Sequence, residues 1–152
     1  MARARGPLRA AAAALLAAGC AARAPALEIA NAERGRIWRL PLGAAGTFAV
    51  VARHSMYDAP VTEEFAVDPA GHIALLAVSS PSAAAREYLG LTGAGDRHEL
   101  RRELPGLVFR VAAGPAQRLA IAGVERSFLE FGDHGDRLVL RGAPAGEPPV
   151  RR

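Results

Sequence analysis

One cysteine, no lysine, one tryptophan and two tyrosines occur in 152 residues, and each scarcity excludes something. A lone Cys20 cannot form a disulfide within the chain. The four histidines, His54, His72, His98 and His134, are dispersed. With no His-x-x-x-His and no cysteine pair, the common zinc spacings are missing. There is no Gly-x-Ser-x-Gly elbow, which argues against a hydrolase of that class. The one Gly-x-Gly, in Thr92-Gly93-Ala94-Gly95-Asp96, lacks a third glycine and a preceding buried parallel strand, so a nucleotide loop is not indicated. No residue pattern implies a cofactor. The apolar run at the N-terminus falls short of the roughly 20 residues that span a bilayer. The absence of lysine beside abundant Ala, Arg and Gly is a compositional bias with no functional content.

What is present at the N-terminus reads as an export signal over residues 1–26. Arg3, Arg5 and Arg9 form a basic region, Ala10–Ala18 an apolar one, and small residues follow. Two processing readings compete. Ala24-Pro25-Ala26 fits a small-x-small cleavage site and makes Leu27 the first mature residue. Leu16-Ala17-Ala18-Gly19-Cys20 resembles a lipobox, with Cys20 lipidated and the protein anchored to a membrane. Four of the nineteen arginines and none of the fifteen acidic residues precede Leu27, so the remainder balances at zero charge. The basicity of the whole chain therefore belongs to the signal and gives no ground for nucleic-acid binding.

Residues 27–141 have the length of one domain with one core. The expected architecture is mainly β: an antiparallel sandwich or barrel of about eight short strands, with one or two short helices inserted. Strands are expected at Leu27–Ala30, Arg36–Leu42, Phe48–Ser55, Val61–Val67, His72–Ser79, Leu107–Ala112, Arg118–Ala122, Ser127–Phe131 and Arg137–Arg141. Ser80 and Pro81 can open a helix over Ala83–Leu89 that Gly90 ends. Asp96-Arg97-His98-Glu99 resembles a capping box, and Leu100 and Leu104 sit four apart, so a second helix is expected there. The two would close one end of the sheets. Gly132–Asp136 is a turn whose Asp133, His134 and Asp136 offer weak cation ligands, an exposed polar turn being the commoner explanation. Residues 142–152, with three Pro and two Gly, are expected to be a disordered tail or a loosely laid strand.

The most informative stretch is Gly46–Asp68, read as a hairpin turning at Asp58-Ala59-Pro60. With Asp58 and Ala59 as its central pair, His54 faces Glu63 and Arg53 faces Glu64. Phe48, Val50, Ala52 and His54 then share a face with Glu63, Phe65 and Val67. A His–Glu pair at the end of an apolar face suits a general base, a pH switch or a ligand-binding group. It equally suits a hydrogen-bonded pair that fixes the hairpin register. Ser55 should point away from His54 and lie across from Thr62, which argues against a Ser–His nucleophile. The candidate binding residues are His54, Ser55, Tyr57 and Glu63.

The pattern Gly46-x-Phe48, followed by His54-Ser55-x-Tyr57-x-x-Pro60-Val61-x-Glu63-x-Phe65, resembles a small exported bacterial family. That family is classed as domain of unknown function eighteen-fifty, and its members are typically encoded beside TRAP transporters of the TAXI type. The resemblance covers about Leu27–Arg141. It departs after the next strand, where the family's Gly-Ala-Gly-Leu-Pro loop is replaced by Ser79–Gly90. It implies a non-enzymatic periplasmic accessory or binding module. Its partner would be the transport receptor, the membrane subunits or a small solute. The rival readings are a periplasmic hydrolase using His54 and Glu63, and a structural envelope lipoprotein.

Overall fold

The computed structural model describes residues 24–114 and 116–146. The basic and apolar parts of the expected export signal, Cys20 and the last six residues of the expected tail lie outside them. Ten strands form two antiparallel sheets, and the molecule is a β-sandwich rather than a closed barrel. The first sheet has the order β2 (Arg36–Pro41), β1 (Ala26–Asn31), β10 (Arg137–Ala143), β7 (Leu107–Arg110). The second has the order β6 (Arg97–Leu104), β5 (Ile73–Ser79), β4 (Ala59–Val67), β3 (Thr47–His54), β8 (Arg118–Ile121), β9 (Val124–Ser127).

Period two explains the core. In β1 and β10, Leu27, Ile29, Leu138 and Leu140 point inward. From the larger sheet Phe48, Val50, Phe65, Val67 and Leu119 meet them in one buried cluster. Phe48 and Phe65 are directly opposed across β3 and β4 and stack with centroids 4.9 Å apart. Burying such side chains supplies about 1.5–3 kcal/mol each. Trp38 packs edge-on against Phe131, 5.5 Å away, so this sparse aromatic serves the core.

Three expectations about secondary structure are corrected. The second helix is strand β6, paired along β5 from Ile73↔Leu104 to Ser79↔Arg97. A spacing of four places Leu100 and Leu104 on one side of a strand as well as of a helix, so it could not discriminate between them. The first helix, α1, spans Ala83–Tyr88 and is capped by Ser82, whose Oγ accepts from the Ala85 amide at 3.2 Å. Ser80 is instead fully buried. Ser127–Phe131 is not a strand but the end of β9 followed by a 3₁₀ turn, Phe128–Glu130, closed by a Ser127/Glu130 capping box. At the start of the expected tail the strand alternative holds. Gly142 and Ala143 belong to β10, and the Ala145 amide donates to the Pro69 carbonyl at 3.1 Å.

Candidate functional site

The β3–β4 hairpin turns earlier than its sequence suggests. His54 pairs with Ala59, and the connection is Ser55-Met56-Tyr57-Asp58. Asp58 takes a left-handed φ of 46°, which aspartate tolerates better than most residues, and its carboxylate pairs with the Arg53 guanidinium. Pro60 stands near the start of β4, opposite Arg53. The expected register is therefore displaced by two positions on each strand. Arg53 does not face Glu64, which pairs with Ala49 and is bridged by Arg97 at 2.8 Å. Glu63 faces Val50 rather than His54. An even displacement preserves the faces, so His54 and Glu63 still share the core side. Four residues of strand separate their rows, about 13 Å.

The two residues meet across a cleft instead of in a pair. The hollow, about 300 Å³, is lined by Ala52, Arg53, His54, Ser55, Val61, Glu63 and Leu89. Ser55, expected on the outer face opposite Thr62, is the first turn residue and lines the same hollow; Thr62 pairs with Val51. Tyr57 folds back over the His54 ring with centroids 5.1 Å apart. Tyr88, from the end of α1, meets His54 edge-on at 4.9 Å and Tyr57 at 5.9 Å. The structure thus gathers His54, Ser55, Tyr57 and Glu63 at one end of the sandwich. It adds Tyr88 and Leu89, which sequence reasoning missed. The only signal was an aromatic-aliphatic pair just before the helix-stopping Gly90. Met56, Tyr88 and Leu89 are exposed at 66%, 60% and 39%, so the cleft has an apolar rim.

The polar groups in the cleft are underused. His54 Nδ1 is buried and has no hydrogen-bond partner. Glu63 sits between Val50 of β3 and Val78 of β5, and burial pushes its carboxyl above the usual carboxylate range. Other charged clusters are already satisfied. Hollows of about 260 and 410 Å³ lie around Leu76, but their Glu64, Arg97 and Glu99 are ion-paired. Asp133 and Asp136 both turn to Arg34. Among the described residues no three His, Cys, Asp or Glu converge in a way that could hold a metal ion. No helix among them is long and apolar enough to cross a membrane.

No protein-family model matches the chain. No curated protein and no solved structure matches it either.

Proposed function

We propose that the protein is a non-enzymatic periplasmic binding module, accessory to a TAXI-type TRAP transport system, with its recognition site at the β3–β4 tip. One observation carries the binding role: His54, whose buried Nδ1 has no partner, and the half-buried carboxylate of Glu63 line the same small cleft beside an apolar aromatic rim. A general base needs a third group to orient it. The buried Nδ1 of His54 has none, which favours recognition over hydrolysis. A ligand group with an N–H donor or a positive charge would satisfy Glu63, and its apolar part would lie against Tyr57, Tyr88 and Leu89. The transport association comes from the hairpin resemblance at Gly46, Phe48, His54, Ser55, Tyr57, Pro60, Val61, Glu63 and Phe65.

The test is capture of the co-encoded receptor and its solute by the exported protein, compared with Glu63→Gln and His54→Ala. Both variants are expected to fold and to lose binding at least tenfold. A wild-type hydrolytic turnover that vanishes in folded His54→Ala would replace this reading with the hydrolase. Glu63→Gln has a second expected effect. A carboxyl with a raised folded pKa contributes stability that is complete below its unfolded pKa and is lost as pH rises through the folded one. Above the unfolded carboxylate pKa, burial of the Glu63 carboxyl therefore weakens the fold. Glu63→Gln should raise the melting temperature at neutral pH and leave it unchanged in acid, as expected for a residue kept for binding at the expense of stability.

One observation favours the lipid-anchored form of this module. Pro25 and Ala26 are built into the sandwich: the Leu42 amide donates to the Pro25 carbonyl at 3.0 Å, and Ala26 is buried between Pro41 and Ala143. Cleavage before Leu27 would remove them, whereas processing at Cys20 retains them. The intact mass of exported protein is expected to show an acylated Cys20. A mass starting at Leu27 would overturn this.

A further inference from the structure

We propose that the outer face of the four-stranded sheet docks on an anionic phospholipid surface, independently of the cleft. Register defines this face. Ile37, Ala30, Val139 and Val108 stand side by side across β2, β1, β10 and β7, a continuous aliphatic row. Its two ends, Ile37 and Val108, are 41% and 62% exposed. On one side of the row lie Arg39, Glu28 and Arg141; on the other, Arg137 stands directly opposite Arg110.

Like charges facing each other across two strands destabilise a sheet. Among the described residues no ion pair engages Arg110, Arg137 or Arg141. Arg110 donates only to the Gly135 carbonyl, and Glu33, at the same rim, accepts from the Arg137 amide. The sequence outside the described residues adds no net negative charge. Residues 1–23 carry four arginines and no acid, and residues 147–152 one acid and two arginines. An anionic surface would supply the complement.

A bilayer fits this face better than an acidic protein does. Protein interfaces concentrate aromatic anchors, but the aromatic residues of these strands, Trp38 and Phe109, are packed against the core cluster. An aliphatic row between guanidinium groups places hydrocarbon at the acyl boundary and arginines at the phosphates.

The exported protein is mixed with vesicles of phosphatidylcholine alone, or with phosphatidylglycerol added. The readout is the ratio of the two partition coefficients, which an acyl anchor at Cys20 leaves unchanged. The ratio is expected to exceed tenfold at low salt and to collapse at high salt. Each arginine near the surface accounts for about fivefold, so Arg110→Gln with Arg137→Gln should lower the ratio about thirtyfold or to unity. Arg101→Gln with Arg102→Gln, an equal charge change on β6, should leave it within twofold. A ratio of one for the wild type overturns the proposal. So does an equal loss in the β6 variant, or binding of poly-glutamate without vesicle binding. The Arg110/Arg137 variant should melt no lower than the wild type, so lost binding is not lost folding.

Discussion

Gly142→Ala is expected to destabilise the protein by at least about 3 kcal/mol, a large share of the roughly 5–15 kcal/mol available to a domain. Gly142 lies on β10, opposite Leu27, where the end of the smaller sheet meets the turn after β4. A Cβ at this position would overlap the Gly71 carbonyl oxygen and lie 2.6 Å from Val67 Cγ1 and 2.9 Å from the Gly71 carbonyl carbon. Two of these three atoms are backbone and belong to a turn pinned by hydrogen bonds from Gly71 N to Asp68 O and Asp68 N to His72 O. Neither sheet can retreat without opening the core. Gly35→Ala is the control for the opposite case: its φ of +62° disfavours alanine, which the backbone of Gly142 does not, but nothing lies within 4 Å. It should cost only about 1 kcal/mol. Denaturant midpoints at constant m-value report both. A Gly142→Ala variant within 1 kcal/mol of the wild type would show that the sheets are not in contact there.

Asn31→Ala should cost about 2–3 kcal/mol through a different mechanism. Asn31 is 1% exposed and uses its whole amide. Its Nδ2 donates to the Phe131 carbonyl at 3.0 Å and to Asp136 Oδ2 at 2.9 Å. Its Oδ1 accepts from the Glu33 and Arg34 amides at 3.1 and 3.0 Å. It therefore ties β1, the β1–β2 turn, the 3₁₀ turn and the start of β10 together, and alanine leaves a buried carbonyl unpaired. Asn31→Asp is the sharper test. In the wild type, donation from Asn31, then the Asp133 amide and Arg34, holds the Asp136 carboxyl below its ordinary value. Stability from this source is present above the unfolded carboxylate pKa and is lost as pH falls through the folded one. Asn31→Asp sets two carboxylates against each other, so its loss should be greatest at neutral pH and shrink in acid, the reverse of the wild-type trend. Parallel pH profiles would remove Asn31 from the centre of this network.

The sequence reveals the antiparallel β architecture, though not whether it is sandwich or barrel, because most strands alternate and most turns carry Gly, Asp or Pro. It reveals the hairpin faces for a reason that does not depend on the register: an even displacement keeps His54, Glu63 and Phe65 on one side. The register itself is hidden because Pro60 looks like turn chemistry, whereas it occupies an early position of β4, where a missing amide donor is tolerated. Of the site, the hairpin half was legible and the α1 half was not. Tyr88 and Leu89 reach His54 only through the path of the chain after β5, which no local pattern encodes. Nor does any pattern mark Asn31 as buried, since an asparagine at a strand end usually faces water.

β10 has a consequence for the order in which the molecule can be made. It lies between β1 and β7, and β7 has no other strand beside it in the sheet. Until β10 leaves the ribosome, the smaller sheet consists of a β1–β2 hairpin and a solitary β7. The larger sheet, complete by β9, has nothing to cover its apolar side. Isolated hairpins of this size are marginal in water, and such long-range pairing is slow to form. The chain therefore stays threadable until its last strand arrives, and its final closure is a single late event that joins the two ends of the domain.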